Sequence, residues 1–418
     1  MSSLLDAELR ARLDDLGREG LARHLRTVSG AHGPRLTLDG QDVLCFTSNN
    51  YLGFAHEPAL ESALGHVLET HGLGAAASRL VSGTLDVHVD AEAALARFAG
   101  HERALLFSSG YAANVGLLQA LGTHDDLIVS DALNHASLID GSRLSNARVV
   151  VTPHGDTGAV REILASQRAT ARRAFVVTEA VFSMDGDRAD LRELRAICDE
   201  FDAALVVDEA HALGMLGRGG RGLADALGVR ADVYVGTLGK AFGGFGAFVA
   251  SSATVIDWLV HRARSFVFST AVPPILAASA LAALPLVEAA DDRRRAVLTH
   301  ADALRDALRA RGLRVGGDGS GIVPLIVGDA AAAVALTDAL LARGVFVQAI
   351  RPPTVPEGTS RLRITPIATH SAADVNALLV ALEETLDGRA PGANGPIAGG
   401  TAKGGRARAA SHRRGTGA

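Results

Sequence analysis

The chain has 418 residues, which is long enough for two domains. It is 48% hydrophobic and 21% charged, a balance that is typical of globular proteins. Its formal charge of −5 hides an asymmetry: residues 389–418 carry six basic side chains and no acidic one, whereas residues 1–388 carry 35 basic and 46 acidic side chains. An acidic body of this kind argues against a nucleic-acid enzyme.

The cysteine content and the hydropathy pattern argue against several further classes of protein. Cys45 and Cys198 are the only cysteines, so we predict neither a disulfide scaffold nor a metal site. The sequence does not begin with a basic segment followed by an apolar run, and it contains no stretch of 18 apolar residues. We therefore expect neither secretion nor a membrane span, and the reducing cytoplasm is the expected compartment.

The first elements are a helix and a hairpin. Leucines recur at mostly helical spacing among charges over residues 4–26, which predicts an amphipathic helix. Alternating apolar residues flank Asp39-Gly40 over residues 35–46, the pattern of a β-hairpin with a tight turn. We expect residues 1–46 to pack with the smaller of the two domains described next.

Two further segments differ in their periodicity. Over residues 47–272, short apolar segments alternate with helical ones, which predicts an α/β domain with a mostly parallel sheet covered on both faces. Over residues 273–387, long helices at 291–311, 330–343 and 372–386 are separated by strands at 322–327, 345–350 and 361–364, which predicts a smaller α+β domain. Residues 388–418 lack periodicity and are predicted to be a disordered basic tail.

Polar side chains follow the predicted strands of the large domain at the point where each strand ends. The clusters lie at residues 130–135, 179–183 and 208–211, and Lys240 follows a further strand at 233–235. Because ligands of parallel α/β sheets bind at the carboxyl ends of the strands, these clusters are expected to converge on one site.

Lys240 stands out because the chain has 39 arginines and only one other lysine, Lys403 in the tail. A lysine can lose its proton in a shielded pocket and form a Schiff base, which an arginine cannot do. A nucleotide-binding phosphate loop is the alternative use of Gly239-Lys240. It fails because Tyr234 occupies the place of the outer glycine and Ala241 that of the hydroxyl residue.

Schiff-base chemistry that stabilises a carbanion needs an electron sink, and pyridoxal 5′-phosphate is the common one. Asp208, at the end of an apolar strand, can hold the protonated ring nitrogen; His135 can stack on the ring, and His211 can donate to its phenolic oxygen. Each of these residues has an ordinary structural alternative, since a strand-end aspartate often caps a helix and a lone histidine is often only a structural group.

The cofactor phosphate needs backbone N–H groups and a hydroxyl. The start of the predicted helix at 112–121 offers the amides of Gly110 and Tyr111, and Thr237 offers a hydroxyl three residues before Lys240. A plain helix cap is the alternative interpretation of Gly110 and Tyr111.

Six motifs resemble those of a known family, the α-oxoamine synthases within the fold-type I pyridoxal-phosphate transferases. They are Ser-Asn-Asn-Tyr-Leu-Gly at 48–53, Phe-Ser-Ser-Gly-Tyr-Ala-Ala-Asn at 107–114, Asn-His-Ala-Ser at 134–137, Thr-Glu-Ala-Val-Phe-Ser-Met-Asp-Gly at 178–186, Val-Asp-Glu-Ala-His at 207–211 and Gly-Thr-Leu-Gly-Lys at 236–240. The resemblance implies a homodimer that condenses an amino acid with an acyl thioester and releases carbon dioxide. The segments at 268–274 and 351–356 are most similar to members that join L-alanine to a pimeloyl thioester.

The resemblance also implies roles for individual residues. Lys240, His135 and Asp208 would be catalytic, and Ser183 would contact the cofactor. The substrate contacts that it implies are Asn49 and Arg363 at the amino-acid carboxylate, His135 again, and Arg23 and Thr354 at the acyl substrate.

Departures from the family pattern leave the substrates open. Ala91 replaces a usual leucine, residues 74–77 contain less glycine than is usual, and Ala212 follows the Asp-Glu-Ala-His run where glycine is common. The alternatives are a sister enzyme that uses glycine or serine with another acyl-CoA, transamination or aldol cleavage on the same fold, and a non-catalytic binding protein.

Overall fold

The computed structural model describes residues 3–388, so the predicted tail lies almost entirely outside the described residues. The helices are Leu4–Arg18 (α1), Pro58–His71 (α2), Asp86–Ala99 (α3), Gly110–Leu121 (α4), Ala136–Leu144 (α5), Thr157–Gln167 (α6), Leu191–Glu200 (α7), Leu223–Leu227 (α8), Ala253–Arg262 (α9), Arg264–Val267 (α10), Pro274–Glu288 (α11), Asp291–Ala310 (α12), Ala330–Leu341 (α13) and Ala372–Asp387 (α14). The strands are Val28–Ser29 (β1), Arg35–Leu38 (β2), Gln41–Cys45 (β3), Arg103–Phe107 (β4), Leu127–Asp131 (β5), Arg148–Thr152 (β6), Ala174–Glu179 (β7), Ala204–Asp208 (β8), Val233–Thr237 (β9), Ala247–Ser251 (β10), Val323–Gly328 (β11), Val345–Phe346 (β12), Gln348–Ile350 (β13) and Ser360–Ile364 (β14).

A seven-stranded sheet forms the centre, in the order β4-β10-β9-β8-β7-β5-β6. β10 is antiparallel to both of its neighbours, and the pairs from β9 to β6 are parallel. Successive side chains point to opposite faces, so that Leu205 and Val207 belong to the hydrophobic core on one face and Val206 to the core on the other. This arrangement confirms the predicted α/β class with a mostly parallel sheet buried on both sides.

Two smaller sheets complete the fold. One joins β11, β14 and β13, and the other has the order β1-β2-β3-β12. The second sheet links the two ends of the chain, because β12 pairs in parallel with β3, and Leu44 and Phe46 share a hydrophobic cluster with Leu304 and Leu362. Residues 41–46 thus pack on the C-terminal part, whereas every residue of α1 is exposed. The packing of residues 1–46 as a unit and the boundaries at 46, 272 and 387 stay predictions.

Two elements differ from the sequence prediction. The helix expected over residues 4–26 ends at Arg18, because Gly20 adopts a φ of 68° that stops the helix, and Arg23 therefore lies in an irregular segment. The strand expected over residues 345–350 divides at Val347, since β12 joins β3 whereas β13 joins β14.

No single helix in residues 3–388 has the length and apolar character needed to cross a bilayer. The pair α11 and α12, bent by 75° at their junction, passes that test only when the two helices are taken together. Within the fold, α11 contributes Ala277 and Leu284 to the core beside the central sheet, and α12 contributes Leu304 to the core of the C-terminal part.

Candidate active site

The site lies where the parallel strands of the central sheet end. Glu179 at the end of β7 pairs in register with Asp208 at the end of β8, and Asp208 pairs with Val235 of β9, two residues before Thr237. Neighbouring strands lie about 4.8 Å apart, so their last side chains face one another across short distances. The predicted convergence of the strand-end clusters is therefore present in the fold.

Lys240 lies in the turn between β9 and β10. The turn depends on Gly243, whose φ is 70° and where a Cβ atom would lie 2.3 Å from the backbone of Phe54. The lysine side chain is half-buried, and its Nζ lies 2.9 Å from Nε2 of His211. Burial lowers the pKa of Lys240 from 10.5 to about 8, although the negative charges of Asp208 and Glu179 oppose the shift. A substantial fraction of this amine is thus unprotonated near neutral pH.

His211 connects Lys240 to the C-terminal part of the chain through a chain of polar contacts. Its Nδ1 lies 2.8 Å from the hydroxyl of Tyr51, and that hydroxyl accepts a hydrogen bond of 3.3 Å from the guanidinium of Arg363. Arg363 also donates to Oδ1 of Asn49 at 3.1 Å. Burial holds the pKa of His211 well below 6.5, and the positive charges of Lys240 and Arg363 add to the effect. The imidazole is therefore neutral, with one ring nitrogen facing Lys240 and the other facing Tyr51.

Asp208 is held from the opposite side of the sheet edge by α4. Its carboxyl group accepts hydrogen bonds from Nδ2 of Asn114 at 2.7 Å and from the backbone N–H of Ala210 at 2.9 Å. The same Asn114 amide donates to Oγ of Ser137, which lies 2.7 Å from Nδ1 of His135. One asparagine thus links the carboxyl group of Asp208 to the histidine predicted to stack on the cofactor ring.

The predicted phosphate-binding groups lie at the same edge of the sheet. Thr237 and Phe107 both pair with Ala247 of β10, so they lie two strands apart, about 10 Å, and Gly110 begins α4 three residues after Phe107. The first backbone N–H groups of a helix have no partner within that helix. The start of α4 therefore offers the amides of Gly110 and Tyr111 to an anion, while the Tyr111 hydroxyl donates to Asp140 at 2.7 Å.

A cleft of about 690 Å³ opens beside these residues. His135 and Ser183 line it together with Arg23 and Thr354, so four of the predicted residues share one cavity. Its remaining walls are mainly apolar and come from Leu133, Ile139, Met184 and the segment 352–356. Neither Ala91 nor Ala212, two of the departures from the family pattern, lines this cleft.

Nine of the predicted residues thus fall into three groups. Lys240, His211, Arg363 and Asn49 form the first group, Asp208 and His135 the second, and Gly110, Tyr111 and Thr237 the third. The backbone carbonyl of Ser183 accepts from Nε of Arg363 at 2.6 Å, which joins the cleft to the first group.

Three residues in contact with these groups were not singled out by sequence reasoning: Tyr51, Asn114 and Glu179. All three lie inside the motifs at 48–53, 107–114 and 178–186, so the motifs contained the signal. Their roles depend on partners that are distant in sequence; Tyr51 and His211, for example, are 160 residues apart.

Comparison with known proteins assigns the chain to a family. Residues 41–382 match the family described as "Aminotransferase class I and II". The 8-amino-7-oxononanoate synthase of Geotalea daltonii is 48% identical over 374 residues, which cover 88% of this chain and 95% of that protein. The chain belongs to the family of 8-amino-7-oxononanoate synthases, within the class I and II aminotransferases.

Solved structures related to this synthase family agree with the assignment. Sphingomonas wittichii serine palmitoyltransferase superposes with a TM-score of 0.86 at 32% identity and covers 92% of this chain and 98% of its own. The 8-amino-7-oxononanoate synthase of Francisella tularensis gives a TM-score of 0.72 at 28% identity, over 82% of this chain and 98% of its own. The predicted fold-type I transferase architecture is thereby confirmed.

The lowered pKa of Lys240 can be measured directly because the chain contains only two lysines. In a Lys403→Arg variant labelled with ¹³C at the lysine Cε, the cofactor-free protein should give a single lysine signal that titrates with a midpoint of about 8. An Asp208→Asn change should move the midpoint lower, because the carboxylate stabilises the ammonium form. Asp131→Asn is the control, since Asp131 is not among the charges that act on Lys240. A midpoint near 10.5 would contradict the desolvated amine.

Proposed function

We propose that this protein catalyses the pyridoxal-phosphate-dependent condensation of L-alanine with a pimeloyl thioester. The products are 8-amino-7-oxononanoate, for biotin synthesis, carbon dioxide and the free thiol of the acyl carrier group. The observation that carries the proposal is the half-buried Lys240 amine, which lies 2.9 Å from Nε2 of neutral His211 and is acted on by the charge of buried Asp208. His135, linked to Asp208 through Asn114 and Ser137, lines a cleft of about 690 Å³ that can hold an acyl chain. The names of its sequence relatives supply the product, the resemblance of the motifs supplies the two substrates, and the enzyme class is that of an acyltransferase.

The residues present fit pyridoxal 5′-phosphate. Asp208 is 6% exposed, and within residues 3–388 no lysine, arginine or histidine forms an ion pair with it, so it is a buried carboxylate without a cation. Burying an unpaired carboxylate is costly, and a protonated pyridine nitrogen would supply the missing positive charge. The cofactor would be held by Lys240 at its aldehyde carbon, by Asp208 at its nitrogen, by His135, His211 and Ser183 around the ring, and by Gly110, Tyr111 and Thr237 at the phosphate.

When bound, pyridoxal 5′-phosphate supplies an aldehyde for Schiff-base formation and a ring that accepts the electrons of a carbanion at the amino-acid Cα. Lys240 would provide the amine that anchors it, and the same amine, once the incoming amine of alanine has replaced it, would accept the Cα proton of alanine and later return one. His211 stays neutral next to Lys240, so it can act as a hydrogen-bond donor without placing a second cation beside the amine. Tyr51 fixes the orientation of its ring.

Arg363 is the proposed ligand of the alanine carboxylate. Its guanidinium is 6% exposed and is held by Asn49 and by the Ser183 carbonyl, so its planar donor group is oriented before substrate arrives. An arginine fork matches a carboxylate with two parallel hydrogen bonds. It would keep the alanine in place while the new carbon–carbon bond forms between Cα and the thioester carbonyl carbon, the thiol leaves, and the carboxyl group departs as carbon dioxide.

The acyl chain would lie in the cleft that Arg23 and Thr354 share with His135. Apolar side chains such as Ile139 and Met184 suit its methylene groups, and Arg23, which is exposed to the cleft, suits its distal carboxylate or the phosphates of its carrier. A sister activity with glycine or serine and another acyl-CoA is the second candidate, because a serine palmitoyltransferase superposes with the same overall fold.

The substrate pair is tested by thiol release from the purified, cofactor-loaded protein. We expect free thiol with L-alanine and pimeloyl-CoA, and only background release with glycine and acetyl-CoA, glycine and succinyl-CoA, or serine and palmitoyl-CoA. Mass spectrometry of the product should show 8-amino-7-oxononanoate. Release with a glycine or serine pair alone would assign a sister activity, and transfer of the amino group without any thioester would identify a transaminase instead.

We also infer that the enzyme is a homodimer in the cytoplasm. Two loops expose large apolar side chains, with Val81 81% and Phe268 72% exposed, and a β-bridge between Ser78 and Thr270 holds the loops together. Such adjacent exposed side chains favour burial against a second copy. Cys45 and Cys198 are free and buried, which suits a reducing compartment.

Sedimentation velocity tests the dimer. The wild-type protein should sediment as a dimer, and a Val81→Asp/Phe268→Asp double variant should shift towards the monomer, because two buried charges would oppose association. Val151→Asp, on exposed edge strand β6, should leave the dimer unchanged. A wild-type protein that is monomeric at micromolar concentration would contradict this proposal.

A further inference from the structure

Glu179 is a buried carboxyl group that the mechanism above does not use. It ends β7, is 2% exposed, and lies in register with Asp208 on the next strand. A buried carboxyl group is costly unless hydrogen bonds satisfy it. Its partners therefore indicate what its position in the sheet is used for.

The partners of Glu179 come from both walls of the cleft. Its Oε2 accepts a hydrogen bond of 3.2 Å from the backbone N–H of Ser183. The backbone N–H of His135 also interacts favourably with the carboxyl group, since it lowers the pKa of Glu179, but Oε1 completes no hydrogen bond within residues 3–388. The carboxyl group thus accepts one hydrogen bond, from the amide of Ser183, and is also acted on by the amide of His135; both residues line the cleft.

Asn134 reinforces the same connection from the opposite direction. Its Oδ1 accepts from the backbone N–H of Glu179 at 3.2 Å, and its Nδ2 donates to the carbonyl of Val177 at 2.8 Å. The loop after β5 and the end of β7 are therefore linked twice, by the asparagine side chain to the β7 backbone and by the glutamate side chain to the loop. Such reciprocal links resist movement of His135 relative to Ser183.

We propose that Glu179 is a positioning residue that sets the distance between His135 and Ser183, and so fixes the ring of pyridoxal 5′-phosphate between them. This inference rests on the proposed function, because it concerns the residues assigned to the cofactor ring. A simple structural cap on β7 would need no contact with the His135 loop. Glu179 instead interacts with the amides of both cofactor residues, by a hydrogen bond from Ser183 and more weakly from His135.

The surroundings of Glu179 also change the pKa of its carboxyl group. Burial, together with the negative charge of Asp208, raises the pKa of Glu179 from 4.5 to about 8. Because a raised folded-state pKa favours the protonated form, the stabilisation associated with it is complete below pH 4.5 and is lost as the pH rises through 8. The carboxyl oxygens can accept hydrogen bonds from backbone amides whether or not the group carries a proton.

Glu209, which directly follows the neighbouring strand β8, offers a matched control. It is also buried, its pKa is raised to about 7, and its two oxygens accept from the backbone N–H groups of Leu223 and Ala224 at 2.8 Å. Those amides begin α8, which does not line the cleft. Replacing either glutamate by glutamine exchanges one acceptor oxygen for an NH₂ group, but only Glu179→Gln alters the cofactor residues.

The test measures pyridoxal 5′-phosphate binding to the full chain. We expect the Kd to rise about tenfold in Glu179→Gln and at least as much in Glu179→Ala, since loss of a backbone hydrogen bond weakens binding by about tenfold. The visible circular dichroism of the bound cofactor should fall in both variants, because it reports the asymmetric environment of the ring. Glu209→Gln should lose comparable thermal stability while its Kd and visible signal stay within twofold of wild type.

Equal Kd values and equal visible signals for wild type and Glu179→Gln would overturn the inference and leave Glu179 as a structural cap. If Glu179→Ala does not fold, the glutamine variant still decides the question. Failure of the proposed function has a different signature: wild-type protein that binds the cofactor normally but releases no thiol from alanine and pimeloyl-CoA would reject the substrates and leave the role of Glu179 intact.

Discussion

The desolvation of one amine governs this site. Lys240 is the only lysine of residues 3–388, and partial burial lowers its pKa to about 8 despite the opposing charges of Asp208 and Glu179. That balance keeps the amine reactive while the two carboxyl groups prevent a still larger loss of its proton affinity. His211, 2.9 Å from the amine, is neutral because burial holds its pKa well below 6.5, so it places no second cation beside Lys240.

The architecture explains how these groups meet. Parallel strands end at the same edge of the sheet, so Glu179, Asp208 and the turn after β9 converge without long loops. The groups proposed to bind the amino-acid carboxylate come from elsewhere: Arg363 lies on β14, and Asn49 follows β3, the strand that pairs with β12. The site therefore needs both ends of the chain folded against the central domain, and its geometry depends on the packing between them.

The sequence predicts the part of the site that follows from local pattern. Lys240, Asp208 and His211 could be found because apolar strands with polar ends indicate where a parallel sheet binds its ligands. Tyr51 and Glu179 could not be assigned roles in this way, since a tyrosine in a polar loop and a glutamate at a strand end acquire them only through tertiary partners. The same limit explains residues 345–350, where one apolar run serves two sheets, and residues 19–26, where leucine spacing continues after Gly20 has ended α1.

The central claim is that Lys240 carries the cofactor, and reductive trapping tests it most directly. The protein is incubated with pyridoxal 5′-phosphate, reduced with borohydride and digested, and the modified peptide is identified by mass spectrometry. The account predicts one pyridoxyl group per chain on the peptide that contains Lys240, and loss of the visible absorbance of the cofactor in Lys240→Ala. Modification of Lys403 instead, or unchanged absorbance in Lys240→Ala, would contradict it.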